Sequence, residues 1–199
     1  GSDTHDGLCA SRPILTVQKA FDTLKNYGPV LNGYWTVRLA AGTYNAASQL
    51  IGLRSENDIV IRGPSVGGSP NIPTAIIDGT GVVSNTVGWY FQFYIKFAVY
   101  DVKFQNWTSV AGDAYGLCAD GHCQAYLNNC HFYNCRYAGV SFDNLTQARM
   151  LGGIVDSCTF SGVRLYSQVS ASIGYTGSVV GDSTERSEEH TSELQSHSF

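Results

Sequence analysis

The chain has 199 residues with 43% hydrophobic and 12% aromatic content, which is enough to bury the core of one sizeable domain. Only 14% of the residues are charged and 22 are glycine, a balance that favours a fold rich in strands and turns over a helical bundle. The net charge of −4, without a basic run, argues against nucleic acid as a main partner, and no hydrophobic run reaches the length of a membrane span.

Residues 1–12 are predicted to form an extended arm, and residues 13–28 to contain one short amphipathic helix. Thr16 is a favourable N-cap for that helix. Apolar residues then follow at the spacing of one helical face: Val17, Ala20, Phe21 and Leu24. We expect the helix to cap the hydrophobic core of the strand region that follows, with binding of a partner as the alternative.

Residues 29–185 open with three short predicted strands, at 35–39, 58–63 and 75–79, and then contain a repeat with a constant step. The three copies are 98–106, 126–134 and 154–162, so the step is 28. Apolar residues return to matching columns: Val99, Leu127 and Val155; Val102, Cys130 and Cys158; and Phe104, Phe132 and Phe160. A repeat of this length indicates a solenoid or another repeat array.

Within each copy the apolar residues lie two apart, which is the period of a strand that buries one face. About 28 residues fit one turn of a coil of short strands, in which like side chains of successive turns stack roughly 4.8 Å apart. We therefore predict an all-β fold, a parallel β-helix with inward columns. Asp101, Asn129 and Ser157 fall where a corner is expected, because short polar side chains can bond their own backbone.

An ordered set of short motifs resembles the pectate-lyase-like superfamily of right-handed parallel β-helices over roughly residues 1–180. The motifs are Asp3-Thr-His-Asp-Gly-Leu8, Pro13-Ile-Leu-Thr-Val-Gln-Lys-Ala20, Ala41-Gly-Thr-Tyr44, Ile59-Val-Ile-Arg-Gly63 and the repeat copies. Within that superfamily, four stretches are most similar to bacteriophage tail fibres and tailspikes: Tyr27-Gly-Pro-Val-Leu31, Ala40-Ala-Gly-Thr-Tyr44, Tyr115-Gly-Leu117 and Ala119-Asp-Gly-His122.

The resemblance implies a virion structural protein in a phage tail, assembled in the host cytoplasm. It also implies a receptor or a bacterial surface polysaccharide as the partner, and a homotrimer when the protein is complete. Two other functions remain open. One is a secreted bacterial polysaccharide lyase or glycoside hydrolase whose catalytic site lies outside this sequence, and the other is a bacterial surface adhesin.

The candidate glycan-binding residues lie in the outward column beside the apolar ladders. Lys103 and His131 occupy that column and Gln105 and Tyr133 flank it. Aromatic rings stack on the apolar faces of sugars, while amides and hydroxyls pair with sugar hydroxyls. A solvated sheet face is the alternative interpretation.

Asp113 and Asp120 are the acidic candidates, because they lie in the stretch that joins two repeat copies and could face one groove. A role in turns is the alternative interpretation. The Gly-His-Gly and paired-Asp motifs of polygalacturonases and the Arg-containing motif of pectate lyases are absent from the sequence, so no catalytic residue is assigned. His5, His122 and His131 are too scattered to suggest a metal site, and no cofactor is expected.

Cys130 and Cys158 are predicted to share an inward column. Residues in register on adjacent parallel strands are poorly oriented for a disulfide, so we expect both thiols to be reduced, as in a cytoplasm. Residues 186–199 match the in-frame translation of a common sequencing-library adapter, and we interpret them as a non-native tail. The β-helix of residues 29–185 is accordingly expected to be incomplete at its C-terminal end.

Overall fold

The computed structural model describes residues 1–8, 11–45, 47–65, 72–82, 87–110, 112 and 114–174, together with the backbone of residues 185–186 and 194–196. In this part of the chain the structure is one helix followed by short strands, as the sequence predicts. The helix is α1 (Val17–Lys25).

The strands are, in chain order, β1 (Val30–Leu31), β2 (Trp35–Arg38), β3 (Gly42–Tyr44), β4 (Ser48–Ile51), β5 (Arg54–Ser55), β6 (Ile59–Arg62), β7 (Ala75–Asp78), β8 (Val87–Gln92), β9 (Lys96–Tyr100), β10 (Val102–Gln105), β11 (Tyr115–Asp120), β12 (Gln124–Asn128), β13 (His131–Tyr133), β14 (Ala138–Asp143), β15 (Gln147–Leu151), β16 (Ile154–Asp156), β17 (Ser161–Tyr166), β18 (Ser170–Gly174), β19 (Glu185–Arg186) and β20 (Leu194–Ser196).

The strands form three parallel sheets that the chain visits in rotation. Sheet 1 has the order β2-β6-β9-β12-β15-β18-β20, sheet 2 the order β3-β7-β10-β13-β16, and sheet 3 the order β4-β8-β11-β14-β17-β19. The short strands β1 and β5 form a separate parallel pair. The molecule is therefore a β-solenoid of about 6 turns, and the predicted parallel β-helix is confirmed.

Helix α1 closes one end of the solenoid core, as predicted. Thr16 caps it by accepting a hydrogen bond from the Lys19 backbone N–H at 3.2 Å, and Asp3 in turn accepts from the Thr16 N–H at 2.9 Å. Phe21 is fully buried, with its ring centroid 5.8 Å from Trp89 and 5.7 Å from Phe91. An apolar helix face therefore covers rings that would otherwise meet water at the end of the coil.

The predicted step between turns holds only in the middle of the described coil. Tyr126 pairs with Ala98, which is the predicted step of 28, but on its other side it pairs with Arg149, a step of 23. We call these the long step and the short step. The next turn again advances by the short step, from Arg149 to Ser172. The first two repeat copies are therefore aligned correctly, and the third copy is wrong by five residues.

This shift changes the predicted columns. Phe132 follows Phe104, but Val155 takes the next place in that column, and Phe160 leaves the core and exposes 54% of its surface. Phe160 instead lies beside Tyr137 with ring centroids 5.5 Å apart. The prediction that Phe160 belongs to the core is wrong. Each of the two turns after Tyr126 is five residues shorter than the turn that precedes Tyr126, so the predicted step of 28 does not apply there.

The cysteine column is displaced in the same way. Cys158 is buried, but it follows Cys135 of the preceding turn rather than Cys130, as the hydrogen bond from the Thr159 N–H to the Cys135 carbonyl shows. All five cysteines in the described ranges are free and buried: Cys118, Cys123, Cys130, Cys135 and Cys158. Cys130 and Cys158 are both free thiols, as predicted. They do not share one inward column, although that was also predicted.

The corners use short polar residues in the left-handed conformation. Between sheets 1 and 2, Asp101 and Asn129 have φ of 57° and 50°, as predicted for this corner, and Asn129 Nδ2 donates to Asp101 Oδ1 at 2.8 Å. Ser157, with φ of 56°, belongs instead to the corner between sheets 2 and 3, below Asn134. Asn134 Nδ2 donates to Asn106 Oδ1 of the preceding turn at 2.9 Å.

No helix in the described ranges is long and apolar enough to span a membrane. Strands β19 and β20, which include residues of the predicted non-native tail, pair with β17 and β18 respectively.

Candidate functional site

A shallow groove of about 460 Å³ runs across the outer face of sheet 1. The strands of this sheet alternate between a buried and an outward residue, so that equivalent outward residues of successive turns line up. One outward row contains Gln124, Gln147 and Ser170, and the next contains Tyr126, Arg149 and Ser172. Asp58 lies at the groove margin. We call this surface the sheet 1 groove.

Tyr126 lies within the groove and is held by neighbours on three sides. Its ring centroid is 5.6 Å from that of Tyr100 in the preceding turn, and the Arg149 guanidinium lies 5.8 Å from its ring centroid in the following turn. Its hydroxyl accepts a hydrogen bond from Asn128 Nδ2 at 3.1 Å. The half-buried ring is therefore positioned before any ligand arrives, which lowers the entropy cost of binding.

Arginine and tyrosine side chains extend this arrangement along the solenoid. The Arg62 guanidinium lies 4.5 Å from the ring centroid of Tyr100, a cation–π contact like the one between Arg149 and Tyr126. Burial, followed by the neighbouring Tyr126, raises the pKa of Tyr100. A tyrosine hydroxyl is protonated at neutral pH, so Tyr100 can donate a hydrogen bond.

The remaining groove residues offer polar groups to solvent. Gln124 and Gln147 are exposed, and each primary amide supplies two donors and one acceptor oxygen. Ser170 and Ser172 are exposed hydroxyls that both donate and accept, and Asp58 is a carboxylate acceptor. An ordered aromatic ring beside mixed donors and acceptors is the chemistry that binds polyhydroxylated molecules.

Two of the sequence-predicted glycan-binding residues lie in one row on the outer face of sheet 2. Lys103 pairs with His131 in register, as the repeat predicts. Neighbouring side chains nevertheless cover His131, which exposes only 6% of its surface, so its prediction as an outward, solvent-facing residue is corrected. Burial, followed by the charge of Lys103, lowers the pKa of His131 to about 4, and its Nε2 lies 3.3 Å from Asn129 Oδ1.

The other two predicted residues, Gln105 and Tyr133, pair in register in the next outward row of sheet 2. Gln105 donates from Nε2 to Asp78 Oδ2 at 2.8 Å, so its amide is engaged within the protein. Tyr133 exposes 41% of its surface and has the Lys103 Nζ 5.1 Å from its ring centroid. Sheet 2 thus brings all four predicted residues together, but only Lys103 and Tyr133 remain available at its surface, because the Gln105 amide is bonded to Asp78 and His131 is covered.

Of the two predicted acids, Asp113 lies outside the described residues, so only Asp120 can be placed. Asp120 ends strand β11 on the outer face of sheet 3. It accepts hydrogen bonds from the Tyr90 hydroxyl at 2.9 Å, Gln92 Nε2 at 3.1 Å and Asn144 Nδ2 at 2.7 Å. Both carboxylate oxygens are therefore engaged.

The structure places Asp143 in register beside Asp120, a neighbour that the sequence interpretation missed. Burial raises the pKa of Asp143, and the charge of Asp120 adds to that effect. Arg164 Nη1 lies 3.5 Å from Asp143 Oδ2, and the Ser141 hydroxyl donates to Asp143 Oδ1 at 2.7 Å. Because these acids are bonded to fixed donors of their own sheet, we interpret the pair as a structural polar ladder.

A motif repeated at the true spacing marks sheet 3 and could have revealed its register. In each of four successive turns the strand of sheet 3 has six residues, with glycine at the second position and apolar residues at the third and fifth. The four strands are Val87-Gly-Trp-Tyr-Phe-Gln92, Tyr115-Gly-Leu-Cys-Ala-Asp120, Ala138-Gly-Val-Ser-Phe-Asp143 and Ser161-Gly-Val-Arg-Leu-Tyr166. The first two copies are separated by the long step, and each later copy follows by the short step. Aligning these copies also aligns Asp120 with Asp143 and Tyr126 with Arg149.

Comparison of the chain with protein-family models, curated proteins and solved structures gives no match. The function is therefore inferred from the fold and from the surfaces just described.

Proposed function

We propose that this chain is a β-helical part of a phage tail-fibre- or tailspike-like virion protein that binds a bacterial surface glycan in the sheet 1 groove. The observation that carries the proposal is the preordered ring of Tyr126 between the exposed amides and the guanidinium of that groove. We also propose a trimeric state and a location in the virion, and both rest on the resemblance of the sequence motifs to phage tail fibres and tailspikes.

The chemistry of the groove supports a sugar over a lipid or a nucleic acid. Its exposed side chains are mostly neutral and polar, with one arginine and one aspartate among them, so neither an apolar chain nor a polyanion finds a matching surface. A pyranose ring presents C–H groups to an aromatic ring and hydroxyls to amides. Tyr126 supplies the former contact, and Gln124 and Gln147 supply the latter.

The geometry of the solenoid supports a polymer over a single sugar. Equivalent outward residues recur in each turn at a spacing of roughly 4.8 Å. Gln124 and Gln147 are such a pair, and Ser170 takes the same place in the turn after them. A chain of several sugars can contact one turn after another, and weak contacts then add up to useful affinity.

The test is binding of the purified full chain to a panel of bacterial capsular and O-antigen polysaccharides on a microarray, followed by calorimetry with each polysaccharide that binds. The expected result is binding to at least one polysaccharide, weakened about tenfold or more by Tyr126→Ala and by Arg149→Ala. Tyr133→Ala on sheet 2 is the matched control, because it removes a similar exposed ring from another face of the same solenoid.

Loss of binding in Tyr133→Ala with normal binding in Tyr126→Ala would contradict the groove and favour the sheet 2 surface. A panel without any binding would contradict the glycan partner. The products of a prolonged incubation test whether this chain is itself catalytic, since a hydrolase and a lyase both create reducing ends and only a lyase also leaves unsaturated sugars. Release of either product would replace the binding function with catalysis.

A further inference from the structure

Cys135 and Cys158 occupy equivalent positions in two successive turns, at the corner between sheets 2 and 3. The Asn134 N–H donates to the Asp156 carbonyl at 3.1 Å, and the Thr159 N–H donates to the Cys135 carbonyl at 3.0 Å. These two bonds fix the backbones of the cysteines one above the other. The two sulfurs also lie on the same side of their corners, because each is 3.7 Å from the carbonyl oxygen two residues earlier.

The two thiols interact directly with each other. The Cys135 S–H donates to the Cys158 sulfur, and this bond lowers the pKa of Cys158. The same bond, together with burial, raises the pKa of Cys135. Burial raises the pKa of Cys123 to about 11 and that of Cys130 to about 12. Cys158 is therefore the first of these four thiols to ionise.

We propose that Cys135 and Cys158 are an oxidant-sensitive pair that closes into a disulfide and ties two successive turns of the solenoid together. Neighbouring strands of a sheet lie about 4.8 Å apart, which falls within the range of about 4.4 to 6.8 Å between Cα atoms that a disulfide requires. Both cysteines lie in corners, between β13 and β14 and between β16 and β17, so the pleat of a strand does not fix their side-chain directions.

The pair lies near the surface, so a small oxidant can reach it from the Cys158 side. Cys158 exposes 7% of its surface and lies between the exposed residues Ser157 and Thr159. Cys135 is fully buried behind it. A peroxide therefore meets Cys158 first, and Cys135 is the resolving thiol already in contact with it.

The reaction with hydrogen peroxide is balanced. The Cys158 thiolate attacks one peroxide oxygen, the O–O bond breaks, and the departing hydroxide takes up a proton as water, which leaves a sulfenic acid on Cys158. The Cys135 sulfur then attacks the Cys158 sulfur, the S–O bond breaks, and the second water leaves with the Cys135 proton. Two thiols are oxidised to one disulfide, and one peroxide is reduced to two waters.

The experiment uses the full chain, reduced with dithiothreitol, desalted, and treated with a small excess of hydrogen peroxide. The remaining thiols are blocked with iodoacetamide in denaturant, and the protein is digested with chymotrypsin. Cleavage after Tyr133, Tyr137, Leu151 and Phe160 isolates Cys135 in residues 134–137 and Cys158 in residues 152–160, apart from the other described cysteines.

The expected result is a cross-linked fragment that joins 134–137 to 152–160, with a mass two hydrogens below the sum of its parts. Cys118, Cys123 and Cys130 should keep the iodoacetamide label. The oxidised protein should melt roughly 5 to 10 °C higher than the reduced protein, and dithiothreitol should reverse the shift. Cys135→Ser should abolish the cross-link and the shift, whereas the matched control Cys130→Ser should keep both.

Three results would overturn the proposal: a cross-link between Cys158 and another cysteine, oxidation of Cys158 to sulfinic acid without a cross-link, or full labelling of both thiols after peroxide treatment. Peptide mapping of the unsubstituted protein decides among these results even if Cys135→Ser does not fold. The proposal does not depend on glycan binding, because the cysteines lie at the corner between sheets 2 and 3 and the proposed glycan site lies on the face of sheet 1.

Discussion

The ring of Phe132 lies parallel to the ring of Phe104 one turn earlier, with the centroids 5.2 Å apart and the planes at 10°. Both rings are fully buried, and Val155 continues their column in the next turn. The column therefore tapers from two stacked aromatic rings to a smaller aliphatic side chain. The packing of each ring depends on the residue in register one turn away, so the core depends on the register between turns.

Phe132→Ala tests this core directly. Removing a fully buried ring should lower the free energy of unfolding by roughly 3 to 5 kcal/mol, because it loses buried apolar area and leaves a cavity. Phe160→Ala is the matched control, since it removes the same side chain from a position with 54% exposure, and it should cost less than about 1 kcal/mol. Urea denaturation of both variants gives the comparison. Equal losses would mean that Phe160 is in the core, and that the long step continues past Phe132.

Gly116→Ala tests the close approach of sheet 3 to the core. A Cβ at this position would lie 2.7 Å from the Gly139 carbonyl oxygen and 3.0 Å from side-chain atoms of Phe104 and Phe132. The turns must shift to admit it, so we expect a loss of roughly 1 to 3 kcal/mol. Gly174→Ala is the control, because a Cβ there finds its first neighbour at 3.9 Å. Similar melting temperatures for the two variants would contradict the packing of this glycine column.

His131 should make the stability of the protein depend on pH. Its folded pKa of about 4 lies below the ordinary value of 6.5, so between these values the unfolded chain binds a proton that the folded chain does not. The favourable contribution of neutral His131 to the free energy of unfolding is therefore complete above pH 6.5 and is lost as the pH falls toward 4. Between pH 7 and pH 5 we expect His131 to account for a loss of roughly 1 to 2 kcal/mol.

The measurement is the free energy of unfolding at the two pH values for the unsubstituted protein and for His131→Gln. The variant should lose less stability than the unsubstituted protein over this pH interval. Equal losses would show that His131 titrates as an exposed histidine, and that its neighbours do not cover it in solution.

The sequence predicts the fold well because a β-helix repeats its chemistry in every turn. The cap at Thr16, the strand period and the corner at Asp101 and Asn129 each depend on neighbours in sequence or on one step of the repeat. The alignment of the third copy failed for a physical reason. Connections between sheets can change length without disturbing the strands, and here the step shortens from 28 to 23 residues. Cys158 and Phe160 match the apolar pattern of the step of 28 only by chance.

The candidate site was harder to predict than the fold. Tyr126 and Arg149 are neighbours across the short step, so an alignment of copies at the long step never places them side by side. Exposure was a second difficulty, because the outward direction of His131 in its strand does not reveal that Lys103, Ile154 and Asn129 surround it. Which outward face remains open depends on the side chains of three turns together, and a single repeat copy does not contain that information.

The most direct test of the proposed function is a two-dimensional ¹H–¹⁵N NMR titration of the labelled protein with a short oligosaccharide from the polysaccharide that binds most tightly. The side-chain amide signals of Gln124 and Gln147 and the Arg149 Nε–H signal report the sheet 1 groove, while the Gln105 amide reports sheet 2. We predict saturable shifts of the three groove signals and an unchanged Gln105 signal. Saturable binding that shifts the Gln105 amide and leaves Gln124, Gln147 and Arg149 unchanged would contradict glycan binding in the sheet 1 groove.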